Sequence, residues 1–235
     1  MNKKLKDKEA LEWSSVVANN SMNRKRIAFG VNSYEKEIKL DPIKYLISKY
    51  TDRKLSWLDL CCGEGNALIQ SAKFIKENKH ENKIGLEGID LVSYFSEYSG
   101  YEDILQLEEK NLENWIPTKK YDLITCVHGL HYIGNKIGLL EKISTTLTGE
   151  GKFIGNFSLE NIRIQGVENS EKMLRKIFKE SGLTYNARTK IIKLTEPISI
   201  ASMFKYLGAD DQVGPNYTGQ SVVDSIYEYV GPRKH

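Results

Sequence analysis

Trp57-Leu58-Asp59-Leu60-Cys61-Cys62-Gly63-Glu64-Gly65-Asn66-Ala67-Leu68 carries a strand, a tight turn and the opening of a helix in one short run. Leu55 to Leu60 is largely apolar, the pattern of a parallel strand covered on both faces. Gly63 and Gly65 let the backbone turn sharply and come close to a ligand. The helix that follows, from about Asn66 to Phe74, offers unpaired N–H groups at its first turn. Strand, glycine turn and helix N-terminus in that order build a nucleotide-shaped pocket at the carboxyl end of a parallel sheet.

The residues inside the loop narrow the choice of ligand. A dinucleotide fingerprint needs G-x-G-x-x-G, and the third glycine position falls on Leu68. A phosphate loop needs a closing Gly-Lys-Ser/Thr, which is absent here. Instead Asp59 precedes the turn and Glu64 lies within it, which suits a ligand with a cationic end and no phosphate. Asp59-Leu60-Cys61-Cys62-Gly63-Glu64-Gly65 resembles motif I of the class I S-adenosylmethionine-dependent methyltransferases, D/E-x-G-x-G-x-G, with Cys61 in place of the first glycine.

That resemblance extends over roughly Leu55 to Ser158. Ile84 to Asp90 reads as the second strand and ends on an acid, one helix and one strand beyond Gly65, the size of a βαβ step. In the family this acid accepts both ribose hydroxyls, and two carboxylate oxygens match two adjacent O–H donors. A turn or cap role is the plain structural alternative for Asp90. Tyr121 to Val127 resembles the fourth strand. Asn111-Leu112 falls where the family contacts adenine, commonly with Asp. His128-Gly129-Leu130-His131-Tyr132 falls where the family's sheet end faces donor and acceptor. A helix over about Asn135 to Leu147 follows, with Gly149 and Gly151 expected to end it and Lys152 to Phe157 to form a fifth strand.

The resemblance implies an α/β fold: a Rossmann-like three-layer sandwich on a mostly parallel seven-stranded sheet. Residues 1–54 would be an N-terminal helical extension or lid and residues 55–235 the methyltransferase domain. The extension is expected to hold a helix over Lys8 to Asn20, and Asp41-Pro42 reads as the N-cap and first turn of another. Between them lie Arg24, Arg26 and Tyr34. By resemblance an arginine there pairs with the donor's carboxylate, and Tyr34 closes over its methionine arm; surface arginines beside an apolar contact are the alternative. At the other end, Ser170 to Ser181 reads as a helix stopped by Gly182. Tyr185 to Leu194 and Ser202 to Leu207 are candidates for the family's antiparallel sixth and seventh strands. The polar stretch Gly208 to Gln220 is either a long turn or an acceptor-site loop using Asp210, Asn216 and Tyr217.

Composition places this chemistry in an ordinary soluble enzyme. The chain has 235 residues and a net charge of +3, with 13 Lys/Arg against 7 Asp/Glu in residues 1–54. Those cations are scattered among acids without an aromatic-basic stripe, so a solvated helix face is a plainer reading than a nucleic-acid surface. No apolar run is long enough for a membrane span, and the basic N-terminus lacks the apolar core of a secretory signal. Three cysteines in a turn and a buried strand make neither a disulfide framework nor a metal site, which fits a reducing cytoplasm.

Methyl transfer from a sulfonium needs alignment and exclusion of water, and a base only when the nucleophile arrives protonated. His131 and His128 are the candidate bases, since histidine titrates near neutrality. The expected donor site is Asp59, Cys61, Gly63, Gly65, Asp90, Asn111, Leu112 and His128, with Arg24; Tyr34, Tyr132 and Tyr217 are expected at the acceptor. The resulting expectation is an S-adenosylmethionine-dependent enzyme, releasing S-adenosylhomocysteine, that methylates N or O of a small or peptide-like metabolite. It resembles the compact enzymes that decorate bacterial natural products. The alternatives are a nucleic-acid or protein methyltransferase and a non-catalytic donor-binding module. The former is disfavoured by Cys126-Val127-His128-Gly129, which stands where base-amino methylating enzymes often carry Asn/Asp-Pro-Pro-aromatic.

Overall fold

The computed structural model describes residues 5–12, 14–18, 25–217 and 219–232. Parallel strands β1 (Leu55–Leu60), β2 (Ile84–Asp90), β3 (Leu105–Glu109), β4 (Tyr121–Cys126) and β5 (Leu147–Asn156) form the body of a seven-stranded sheet. β7 (Thr184–Asn186) and β8 (Ile191–Leu194) complete it in the order β3-β2-β1-β4-β5-β8-β7, and β8 is antiparallel to both neighbours. The order reverses between β1 and β4, so the carboxyl ends of these strands open a crevice.

Strand side chains alternate between two cores, which makes the sandwich three-layered. Leu55 and Trp57 of β1 face one side, with Ile38 of α3 (Tyr34–Ile38), Leu46 of α4 (Pro42–Lys49) and Leu68 and Ile75 of α5 (Asn66–Glu77). Leu58 and Leu60 face the other, with Leu140 and Ile143 of α6 (Lys136–Thr145) and Leu174 and Phe178 of α7 (Ser170–Glu180). The expected cap holds: Asp41 accepts from Ile43 N and Lys44 N at the start of α4.

Four expectations change. The sixth and seventh strands both come from 184–194, as a hairpin. The region around Ser202 to Leu207 instead becomes β9 (Phe204–Asp210) of a separate sheet with β6 (Ile162–Ile164) and β10 (Asp224–Tyr229), packed on the α6 side. Gly149 and Gly151 lie inside β5, and α6 ends at Thr145. A Cβ at Gly151 would sit 2.6 Å from Tyr121 O, so glycine is needed where the β4–β5 register shifts. The helix expected over Lys8 to Asn20 is broken into α1 (Lys8–Glu12) and α2 (Ser15–Ala18). Ser14 turns inward between them to donate to Asp211 and accept from Val16 N; Trp13, Asn19 and Asn20 lie outside the described residues. Finally β3, a half-exposed edge strand, was not anticipated from Leu-Gln-Leu-Glu-Glu, where charge masks the alternation.

Buried polar contacts tie these layers together. Lys136 is fully buried and donates to Ile133 O, Val223 O and Ser225 Oγ, joining the start of α6 to the smaller sheet. Burial pushes its ammonium down to about 7. Asp122, at the start of β4, accepts from Ser56 N at 2.8 Å, Thr148 Oγ1 at 2.9 Å and the Arg53 guanidinium. One carboxylate thus pins β1, β4 and β5 in register. Asp122→Ala leaves the Ser56 N–H and Thr148 hydroxyl without their acceptor, and a loss of about 2–3 kcal/mol in urea denaturation is expected with an unchanged m-value.

Candidate functional site

The loop leaving β1 runs through three left-handed residues, Cys61 (φ 56°), Gly63 (φ 62°) and Gly65 (φ 75°). That conformation costs a non-glycine residue roughly 1–2 kcal/mol, so Cys61 stands in a glycine's place at a price. It fits because Gly129 opposite has no side chain. A Cβ there would lie 2.3 Å from Cys61 Cβ and 2.6 Å from its Sγ. Gly65 hands the chain to α5, and Gly63 N–H donates to Asp90 Oδ2 at 2.8 Å. Asp90 Oδ1 accepts from Val92 N at 3.3 Å, so the acid at the end of β2 holds both adjoining loops.

Behind this loop lies Asp59, with 0% of its surface exposed. Its Oδ2 accepts from Tyr34 Oη at 2.7 Å and its Oδ1 from Thr125 Oγ1 at 2.5 Å; Thr125 in turn accepts from Trp57 Nε1 at 2.7 Å. Burial pushes the Asp59 carboxyl up to about 7, although both hydroxyls pull it down. The structure thus places Asp59 and Tyr34 in the core, not at the ligand surface. Tyr34 was expected to close over a ligand, but its hydroxyl is committed to Asp59 and its ring packs edge-on against Trp57 at 6.4 Å.

In front of the loop lies a partly open cleft with an internal volume of about 100 Å³. Cys61, Gly63, Asp90, Asn111, Leu112, His128 and Tyr132 all line it, so the structure brings together seven of the residues singled out in the sequence. Leu91, Val127 and Ile133 supply apolar wall. Gly65 sits just behind, at the start of α5. The charged lining is Asp90, Glu12, Glu113 and Lys110, three acids to one base, which suits a cationic ligand and not a phosphate.

The N-terminal segment closes one side. Leu11, Glu12 and Val17 line the cleft, and Asn111 Nδ2 donates to Glu12 Oε2 at 2.9 Å. Lys6 pairs with Ala209 of β9 through backbone hydrogen bonds and with Asp211 through a 2.7 Å ion pair. These contributors carried no sequence signal, because a lone Glu on a short amphipathic helix reads as solvated. Arg24 lies outside the described residues. Arg26 donates to Glu37 Oε1 at 2.5 Å and to Asn32 Oδ1 at 3.0 Å.

The two histidines part company. His128 adopts φ 62° after β4, with its N–H held by Asn156 Oδ1 at 2.7 Å and its Nε2 3.0 Å from Glu37 Oε2. His131 is 1% exposed and lies behind the wall, under Asn216 (Nδ2 to Nδ1 3.1 Å) and the edge of Tyr217 at 5.6 Å. Burial, then the neighbouring His128 and Lys136, hold the His131 imidazolium well below its ordinary range, so its ring is neutral and a poor proton acceptor. Tyr217, expected at an acceptor, covers His131 and is half exposed. Tyr132 does reach the cleft, and its hydroxyl donates to Gln220.

The raised Asp59 carboxyl makes a signed prediction. A folded-state value of about 7 against an ordinary 3.8 means the folded chain holds the proton through that window. The contribution is therefore fully present below about pH 4 and lost as pH rises through 7. Asp59→Asn should gain on wild type by an amount on the order of 4 kcal/mol between pH 4 and 8 in urea titrations. A constant difference across that range would count against the assignment.

Residues 32–159 match the family model for a methyltransferase domain. No curated protein matches the chain. Among solved structures, the plantazolicin methyltransferase BpumL, in complex with a pentazolic desmethylPZN analogue and SAH, is 20% identical with a TM-score of 0.43. That alignment covers 61% of this chain and 63% of the other. SAM-bound CalS10, an amino pentose methyltransferase from Micromonospora echinaspora involved in calicheamicin biosynthesis, is 16% identical over 55% of this chain and 54% of its own, TM-score 0.40. The DszA carbon methyltransferase is 11% identical over 68% and 53%, TM-score 0.48. The chain thus spans less than two thirds of each of these proteins.

Proposed function

The chain belongs to the methyltransferase-domain family, and from that premise we propose that it transfers a methyl group from S-adenosylmethionine to N or O of a small or peptide-like metabolite. The observation that carries this reading is the Asp90 carboxylate, fixed by Gly63 N–H in a cleft with three acids and one lysine on its walls. The residues fit that donor. Asp90 presents a carboxylate at the cleft, a group whose two oxygens match two vicinal hydroxyls. Leu112 and Asn111 suit the flat face and amino edge of adenine. The turn at Cys61, Gly63 and Gly65 leaves its backbone close to the methionine arm. When bound, the donor supplies a methyl carbon on an already activated leaving group.

The protein's share of the reaction is then placement. Leu11, Val17, Val127 and Ile133 give the cleft an apolar lining, a surface against which a bound donor would displace water. Tyr132, at the cleft and braced by Gln220, suits the acceptor side. The expected setting is the cytoplasm, with natural-product modification as the expected role. Among the described residues no helix is long and apolar enough to cross a membrane.

Calorimetric titration with S-adenosylmethionine and S-adenosylhomocysteine tests this directly. Wild type should bind both, and Asp90→Ala should weaken each by roughly 10–100-fold, the worth of hydrogen bonds to a charged group. Failure of a folded wild type to bind either ligand would sink the reading; binding without transfer to any metabolite, nucleic acid or protein would leave the donor-binding module.

A further inference from the structure

We infer that Glu37 is a positioning residue that fixes the tautomer of His128, keeping its Nε2 protonated and leaving Nδ1 as the proton acceptor of the cleft. The inference rests on the methyltransferase reading of that cleft, and it narrows the acceptor to a nucleophile that arrives with its proton, a hydroxyl or an amine.

The geometry is a three-residue chain. Arg26 donates to Glu37 Oε1, and Glu37 Oε2 lies 3.0 Å from His128 Nε2. The hydrogen bond to His128, aided by Arg26, holds the Glu37 carboxyl below its usual range, so the group is an anion that only accepts. Nε2 must therefore be the donor. Asn156 Nδ2 also stands near Nε2, at 3.4 Å, but its amide is already oriented by the 2.7 Å bond from His128 N to Oδ1. Nε2 cannot both donate to Glu37 and accept from Asn156 Nδ2, and the nearer, charged contact decides the direction. In the neutral form of the ring the lone pair is then on Nδ1. His128 is 3% exposed, and Nδ1 is a buried atom without a hydrogen-bond partner in a residue that lines the cleft. A buried acceptor left without a donor is destabilising, and a ligand that brings a donor satisfies it.

The step this arrangement supports is balanced. As the nucleophile's lone pair bonds to the methyl carbon and the former bonding pair stays with sulfur, His128 Nδ1 takes the nucleophile's proton. The Nε2–H remains on Glu37, which sets a negative charge beside the imidazolium that forms. A nucleophile already ionised in water, such as a carboxylate, needs none of this. Tyr34 and Glu37 stand three apart on α3, so the helix anchored to Asp59 also carries Glu37.

Long-range proton–nitrogen correlation spectra of the full chain with labelled histidine read the tautomer directly. The chain has four histidines, and His128→Gln assigns the signal. In wild type, at a pH where the His128 ring is neutral, it should show one tautomer, with the proton on Nε2. Glu37→Ala should lose that single signal to a mixture or to the Nδ1–H form, and Glu37→Gln, which retains an acceptor oxygen, should restore part of it. A proton on Nδ1 in wild type, or an Nε2–H signal indifferent to Glu37→Ala, would overturn the inference. S-adenosylhomocysteine titration of the wild-type sample separates the two failures. Absent binding defeats the methyltransferase reading alone, and a wrong tautomer with intact binding defeats this inference alone.

Discussion

A carboxylate cut off from water must be answered by donors from its own protein, and Asp59 sets that constraint at the centre of this molecule. Tyr34 and Thr125 answer it, and Trp57 completes the chain through Thr125. Trp57, Asp59 and Thr125 sit on adjacent strands, whereas Tyr34 comes from the extension before the sheet. The contact therefore fastens α3 against the end of β1. Gln70 of α5 holds the preceding turn in the same way, accepting from Ala28 N and Phe29 N and donating to Phe29 O. With α3 fixed at both places, Glu37 is delivered to His128. The acid of the glycine-loop motif thus acts from behind the site, through the helix it anchors.

The central half of the chain was legible because each local signal agreed with the global fold. β1 and β2 have the very bounds read from their apolar runs, and Asp90 ends its strand at the cleft as its spacing implied. These elements are short, buried on both faces and separated by unambiguous turns. Legibility failed where an element is half exposed or depends on distant partners. Ser202 to Leu207 has the pattern of a strand, and Phe204 onward is one, but no local feature says which sheet it joins. That is decided by β10, paired through residues 204–210 with 224–229. Gly149 and Gly151 read as helix stops because glycine punctuates chains, yet the crowding that requires Gly151 comes from Tyr121, thirty residues upstream.

The site divides along the same line. Residues supplied by the sheet's carboxyl edge were visible, since a strand end followed by a turn marks itself. Those supplied by the extension were not. Glu12 and Glu37 sit on five-residue helices among other charges, indistinguishable in sequence from solvated side chains. Tyr34 carried a signal, an aromatic in a polar segment, but its direction is set by the hydrogen bond that Asp59 needs. His128 and His131, alike in the sequence, are separated by two residues of turn that leave one at the cleft and bury the other.

The pair of Cys61 and Gly129 has a historical consequence. With cysteine at 61, any side chain at 129 meets a Cβ at 2.3 Å, so position 129 is locked to glycine. Replacing Cys61 by glycine removes the left-handed strain and the nearer obstruction, and leaves Cys126 Sγ at 2.9 Å as the remaining close contact. The two positions are therefore coupled in one direction: a side chain at 61 forbids one at 129, whereas glycine at 61 makes no demand on 129. Exchange at this corner of the loop has a ratchet built into it by the width of a single methylene.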